Sequence, residues 1–552
     1  MSKKKQTPKS SPIPEGETWL GNIIDRHADF LAYALTALTA LMALLLFNAR
    51  MSEGGDDSSY ICRALDFIDQ GRYPDYQGPL YPLFLAPFIA LTGGVDVIGL
   101  KFTSYALIVL GQLAMYLSLK RFASPRLLLS VMLLMAVNLW FVQFGSLTYS
   151  EPFFILFQWL LVWGLLRLDA TVANTRRHAI VWGLVVGAAV VLAALVRTAG
   201  FGFGVAAVAF LLVRRRWAAT ISVAASIVLF FGLWIAIRTA VWGHVKTDDK
   251  QLNSLLQVDP YDPAEGLETP QGFVNRFVGN SNLYISKHYV KMLGLKDPDS
   301  RETSPLQTVI LYALFLWGAY VAYKKNRAIL LIAILAATML SLTFFSLQTL
   351  WDQYRLILPY VALMHIVLLY ALADLVRRLT RRHKMKVMAL VVLVPSAILF
   401  SRSAAQMDLL TLRKNLSSDP LAGYTPDWYH YLSMCQSVAE LTPDAYVACR
   451  KPNMARIYAG GRKFYGIYTI PSDDPDVLVA NLKNHGVTHI IIGSLRRDPA
   501  QAGLGVINTI HRYVNFIIQK YPGFIEQVAV QGTTDTEPAA LFKLHYEYAT
   551  PR

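Results

Sequence analysis

Charge is scarce in this chain. Asp, Glu, Lys and Arg make up 16% of its 552 residues, where soluble domains carry about a quarter. Set beside 54% apolar residues and a mean hydropathy of +0.37, that shortage excludes an ordinary soluble protein of this length. Cysteine is nearly absent too. Cys62, Cys435 and Cys449 are too few for a disulfide scaffold, and no CxxC spacing suggests a structural zinc site. Cys435 and Cys449 fall in a region expected to face an oxidising compartment, so the sequence leaves a bond between them open. Acidic residues number 37 against 52 basic ones, a net +15, but the basic residues lie in short clusters between apolar runs. No nucleic-acid partner is expected from such a dispersed pattern. The chain has no internal repeat, and no low-complexity stretch beyond its Lys/Ser/Pro-rich first 15 residues.

What is abundant is apolar sequence. About 20 helical residues cross a bilayer core, and apolar runs of that order stand near 29–48, 98–119, 127–142, 151–167, 179–196, 199–213, 218–242, 306–323, 328–347, 356–375 and 387–401. They predict a polytopic α-helical membrane protein of about 11 transmembrane helices. Basic residues near helix ends stay on the cytoplasmic side. Here they are Lys3-Lys4-Lys5, Lys120-Arg121 with Arg126, Arg176-Arg177, Arg214-Arg215-Arg216, Lys324-Lys325 with Arg327, and Arg377-Arg378 through Lys386, at every second connection. The first apolar run follows about 27 polar residues and is too long for a signal-peptide core, so it reads as a signal anchor. The predicted organisation is a cytoplasmic N-terminus at 1–27, a transmembrane part at 28–401 with outer loops 49–97 and 243–305, and an extracytoplasmic domain at 402–552.

That last segment loses hydrophobicity and changes pattern. Helices are expected at 428–441, 475–485 and 503–520, and strands at 446–448, 488–492, 525–531 and 540–546. Alternating helices and strands over about 150 residues make a soluble α/β domain with its own core.

Two adjacent carboxylates, Asp56 and Asp57, follow Gly54-Gly55 just past the first apolar run. Placing both at a membrane edge is costly, which points to chemistry. The segment after them sets Tyr60, Ile61, Ala64, Leu65 and Ile68 on one helical face, predicting an amphipathic helix lying on the membrane surface. One of the two acids would then cap that helix. A cap explains one acid and leaves the other.

The acidic pair with Tyr60, then Gly71-Arg72-Tyr73-Pro74 and Pro79-Leu80-Tyr81-Pro82-Leu83, resembles the first extracytoplasmic loop of GT-C fold glycosyltransferases. The nearest pattern is the Asp-Glu-x-x-Tyr of the branch holding the protein O-mannosyltransferases and lipid A aminoarabinose transferases. The resemblance continues at Tyr149-Ser150-Glu151-Pro152-Phe153, Leu195-Val196-Arg197-Thr198 and Tyr354-Arg355-Leu356-Ile357-Leu358-Pro359, all on the predicted outer side. It implies inverting transfer of a sugar from a polyprenyl-phosphate carrier to a hydroxyl of a lipid, glycan or protein acceptor, with membrane lipids around the chain. By analogy the membrane is the bacterial plasma membrane.

On that resemblance Asp56 is the general base, Asp57 supports it in place of the family's Glu, and Glu151 is a further acid of the cavity. Arg355 and Arg197, with Tyr354 and Tyr60, form the lipid-phosphate and substrate set, since guanidinium forks suit phosphate oxygens. Arg at a helix end also snorkels, and an acid in Glu151's place also suits a helix dipole. Lys287 and His288 are candidates for the carrier phosphate, against a solvated loop. The aminoarabinose branch has a Lys before the Pro where this chain has Gln77-Gly78-Pro79. No Asp-x-Asp stands in the first loop, so no cofactor is required; a divalent metal is compatible but not indicated. A lipid-linked glycan transporter or flippase and a membrane-anchored envelope assembly protein are the alternatives. The first calls for mid-helix charge, nearly missing here apart from His365, and the second leaves the loop acids unexplained.

Overall fold

The structure, a computed structural model, describes residues 15–75, 77–170, 176–243, 255–259, 265–349, 351–380, 383–496, 506–533 and 536–549. The Lys3-Lys4-Lys5 cluster and the first residues of the expected 503–520 helix lie outside them.

Among the described residues nine helices are long and apolar enough to cross a membrane: Ala28–Leu45, Val97–Leu119, Ser150–Asp169, Arg177–Val196, Trp217–Trp242, Pro305–Lys325, Arg327–Ser346, Leu358–Leu379 and Lys384–Ala405. The chain is a multi-pass membrane protein. Two of the expected runs differ. The one at 127–142 is two helices, Pro125–Ala136 and Leu139–Ser146, bent by 72°. Asn138 makes the break: its side chain accepts from the Trp140 N–H at 3.1 Å and donates to the Met292 carbonyl at 2.9 Å. The run at 199–213 is a shorter helix, Thr198–Val213.

The helix ends sort into two sets by their polar contacts. At one end Lys120 pairs with Asp29 (3.0 Å) and Arg126 with Asp25 (2.7 Å). There too Asp169 meets Arg214, Arg216 and Arg327 at 3.3–3.4 Å, while Asp374 meets Lys325, Arg377 and Arg378 at 2.8–3.0 Å. The Asn326 side chain joins two of these corners by donating to the Phe122 carbonyl at 2.8 Å. Basic clusters that are far apart in sequence thus meet at one end. The opposite end carries the described residues of 46–97 and of 402–549.

Those last residues build a five-stranded mixed sheet in the order β2-β1-β3-β5-β4, with β1 Val447–Cys449, β2 Phe464–Gly466, β3 His489–Ile492, β4 Ile525–Gln531 and β5 Ala539–Leu544. β1 runs parallel to β2 and β3, while β5 runs antiparallel to β3 and β4. Helices Pro475–Asn484 and Thr509–Lys520 pack Leu478, Leu482, Tyr513 and Ile517 with Ala448 and Ile490 in one core layer. Helix Pro426–Leu441 packs Tyr431 and Cys435 with Ile491 and Leu541 in another. Cys435 and Cys449 are buried free thiols, and burial pushes the Cys449 thiol up to about 12.

The second core layer also contains Tyr60, Ile61, Cys62 and Ala64 of helix Asp56–Gln70, together with Tyr81 and Leu85. This corrects the expectation of a helix lying on the membrane surface. Tyr60, Ile61 and Ala64 of its apolar face are covered by protein, because the C-terminal part clamps it, while Ile68 near its end stays exposed. Arg456 reaches Asp66 at 2.7 Å, Lys451 donates to the Glu53 carbonyl at 2.8 Å, and the Tyr424 hydroxyl donates to the Met51 carbonyl at 2.6 Å. A carboxylate does meet a free N–H of this helix, Asp57 accepting from Ser58 at 2.7 Å, but from inside the first turn and not from the cap position. The N-cap is Gly55, at φ 84°, with no side-chain cap bond; this left-handed turn is one that glycine adopts without strain.

Gly78 fixes the far side of the same segment. A Cβ there would lie 2.1 Å from the Val196 carbonyl oxygen, which is backbone and cannot swing away. Gly78→Ala is expected to destabilise the protein by about 1–3 kcal/mol. Gly94→Ala, with nothing within 4 Å, should leave thermal unfolding in lipid nanodiscs unchanged.

Candidate active site

Asp56 and Asp57 begin the same helix but face different surroundings. Asp57 is fully buried, and its oxygens accept from the Ser52 N–H (2.7 Å), the Ser52 hydroxyl (3.1 Å) and the Ser58 N–H (2.7 Å). Burial raises its pKa against the pull of the Lys101 cation and these hydrogen bonds. Lys101 is itself fully buried, four residues into its helix, and donates to the Ser146 carbonyl.

Asp56 is about one-third exposed and pairs with Arg355. The Arg355 guanidinium lies 5.1 Å above the Tyr149 ring, and the Tyr149 hydroxyl is 2.8 Å from Ser52 Oγ. A chain of contacts therefore runs from Asp57 through Ser52 and Tyr149 to Arg355 and Asp56. Burial disfavours the charge on Arg355, but the Glu151 and Asp56 carboxylates outweigh it, so its pKa lies above the ordinary value. Arg355 Nε is buried without a hydrogen-bond partner among the described residues. An N–H donor in that state is costly unless a ligand meets it.

Glu151 is buried and holds Arg197 at 2.6 Å. Arg197 also donates to Ser150 Oγ at 3.2 Å, and that oxygen is 3.0 Å from the Tyr60 hydroxyl. Tyr60 is buried edge-on against Tyr81 and so supports this pair from beneath. Tyr354 is fixed by the Gln143 amide, which donates to its hydroxyl, and by the Trp140 ring at 4.7 Å. Two carboxylates and two guanidiniums, four predicted residues from four separate stretches of chain, meet at this end of the bundle.

Lys287 and His288 are not in a solvated loop. They are buried in a π-helical turn, Leu283–Tyr289, and both bind Asp352, His288 at 2.6 Å. Their link to Arg355 is indirect, through a carboxylate three residues before it. Burial lowers the His288 pKa to about 4 despite Asp352 beside it, so the neutral ring donates from Nε2. His365 bonds the Tyr289 hydroxyl through Nδ1 at 3.1 Å, a packing role. Sequence reading missed Lys101, Gln143, Asp352 and Lys451. Lys101 alone carried a signal, a lone cation inside an apolar run. The HxxxH spacing of His485 and His489 was missed as well, but it straddles a turn at Gly486, and no described group of three or more His, Cys, Asp or Glu forms a metal site.

No family model matches the chain, and none of the curated proteins does. Solved structures do. The archaeal oligosaccharyltransferase AglB from Archaeoglobus fulgidus, in complex with an inhibitory peptide and a dolichol-phosphate, is 12% identical with a TM-score of 0.53, over 85% of this chain and 70% of that one. ArnT from Cupriavidus metallidurans bound to undecaprenyl phosphate is 11% identical with a TM-score of 0.55, over 94% and 99%. Its apo state gives 0.54 over 98% and 100%. The chain has the GT-C fold.

Two outcomes follow from the burial of these groups. Asp57→Ala leaves Lys101 buried beside no carboxylate, at about 3–5 kcal/mol, and should lower the thermal midpoint far more than Asp56→Ala. An unchanged midpoint would return Asp57 to a purely chemical role. His288, depressed from 6.5 to about 4, contributes stability that is complete above pH 6.5 and lost as pH falls toward 4. The pH–stability curve of His288→Gln should be flatter than that of the wild type in that window.

Proposed function

We propose that the protein is a glycosyltransferase that moves a sugar from a polyprenyl-phosphate carrier to a hydroxyl acceptor, inverting the anomeric carbon, with Asp56 as general base. The observation that carries this reading is the pairing of a part-exposed carboxylate with Arg355, whose Nε is buried and unmatched. A carrier phosphate would take Arg355 by its fork and release Asp56. The acceptor oxygen then attacks the anomeric carbon from the face opposite the phosphate, giving its proton to Asp56. The C–O bond to phosphate breaks, and the leaving anion stays on Arg355. Arg197, held charged by Glu151, adds to the positive field. Lys287 and His288 act through Asp352, setting the turn that carries Tyr354 and Arg355.

Two of the solved relatives hold dolichol-phosphate or undecaprenyl phosphate, which supports a polyprenyl carrier. The basic end of the bundle supports a cytoplasmic N-terminus and an extracytoplasmic site, in a bacterial plasma membrane. The acceptor is a lipid, glycan or protein hydroxyl. No metal is needed for the steps as written.

Asp56→Asn in nanodiscs should slow transfer from a radiolabelled polyprenyl-phosphate sugar by about 10²–10⁴-fold while donor binding persists; full transfer would remove Asp56 as base. In the same assay Arg355→Ala should raise the KM for donor, and unchanged kinetics would refute its phosphate role.

A further inference from the structure

Beside this site, a cavity of about 300 Å³ opens between residues 46–50, the bent segment near 139–147 and the helix Leu409–Ser417. Carboxamides of Asn48, Gln143, Gln406 and Asn415 line it, with the carboxylate of Asp408 and the guanidinium of Arg50. The two charges are already answered. Arg50 donates to Asn48 Oδ1 at 3.2 Å and to the Gly423 carbonyl, and lies over the Tyr424 ring at 5.2 Å. Asp408 accepts from the Thr411 N–H at 3.0 Å. An anion would meet a carboxylate here and a cation turned to other partners, so phosphate does not fit.

The remaining lining suits a neutral polyol. A carboxamide both donates and accepts, as each sugar hydroxyl does. Asn415 spends its amide hydrogens on the carbonyls of Asp419 and Ala422, at 3.0 and 2.9 Å, which leaves its oxygen as an acceptor. Phe47, Leu139, Leu147 and Leu412 add an apolar wall for the C–H face of a sugar ring. The volume is at the low end of small-molecule sites, the size of a monosaccharide.

The walls of the cavity are also the supports of the candidate site. Gln143 donates to the Tyr354 hydroxyl, next to Arg355. Ser146 supplies the carbonyl that Lys101 binds. Arg50 stands two residues before Ser52, which Asp57 holds.

We infer that this cavity is a carbohydrate subsite that holds a sugar residue of the acceptor beside Asp56. The acceptor role rests on the transferase reading; the binding of a sugar does not. The sugar can belong to a glycolipid or to a free glycan, and the chemistry recognised is the same.

The test uses the full chain in lipid nanodiscs free of glycoside detergent. Saturation-transfer NMR is run with methyl glycosides of common hexoses and pentoses, and with octyl glycosides below their micelle concentration. At least one glycoside should bind the wild type. Thr411→Trp, which fills the cavity, should weaken it at least tenfold, while Asp56→Asn keeps it. An octyl form bound more tightly than the methyl form of the same sugar identifies a lipid-linked acceptor, and equal binding a free glycan. No binding by the wild type, or wild-type affinity in folded Thr411→Trp, overturns the subsite. Should Thr411→Trp fail to fold, Gln406→Leu decides: a loss of threefold or more supports the subsite, and no change overturns it. Glycoside binding lost in Thr411→Trp, in a protein that transfers no sugar from any polyprenyl phosphate, would keep the subsite and remove the transferase reading.

Discussion

Asp57 is buried beneath the first turn of helix Asp56–Gln70, and both its oxygens are committed to Ser52 and Ser58, with the Lys101 cation close by. A carboxylate in such a place is tolerated only when every lone pair has a use. That requirement fixes the backbone from 52 to 58, and with it the direction in which Asp56 leaves the chain. Ser52 carries the constraint onward to Tyr149, and the Tyr149 ring carries Arg355. The part-exposed pair of the site is thus placed by the buried acid behind it.

Charge is arranged by the same rule at the two ends of the bundle, with opposite results. At the basic end, Asp169 and Asp374 are buried acids, each surrounded by three cations. Those acids are outnumbered and positive charge is left over. At the other end Asp56 and Glu151 face Arg355 and Arg197 one for one. On the proposed reaction, such a balanced set of charges in partly desolvated surroundings would rearrange when the carrier phosphate arrives.

Much of this was legible in the sequence because it is local. Length and hydropathy place the spans, the alternation of basic clusters gives their order, and the strands near 446–448, 488–492, 525–531 and 540–546 follow from residue type and pattern. Short loop motifs picked out Asp56, Glu151, Arg197 and Arg355. What was not legible depends on partners distant in sequence. The amphipathic helix at 56–70 has an apolar face that a membrane and a protein would cover equally well, and only the contacts from Arg456, Lys451 and Tyr424 decide. β2 Phe464–Gly466, three residues with two glycines nearby at 460 and 461, is too short for alternation to register. The break at Asn138 is a cap hidden inside a continuous apolar run.

The unmatched Arg355 Nε bears on how the proposed base, Asp56, could be kept in an ion pair and still serve. A bidentate grip on Asp56 would use the full fork and hold the carboxylate fast. Here the bond to Asp56 runs through Nη2 alone, leaving Nε–H aimed elsewhere and without a protein partner among the described residues. On the proposed reaction, an incoming phosphodiester, a monoanion, would make its first hydrogen bond at Nε–H before the one to Asp56 breaks, so the exchange passes through no state in which the guanidinium is bare. On that reaction, the same asymmetry would make the carboxylate's release conditional on the carrier's arrival. A transferase of the proposed kind must not deprotonate acceptors idly, and that order of events would prevent it.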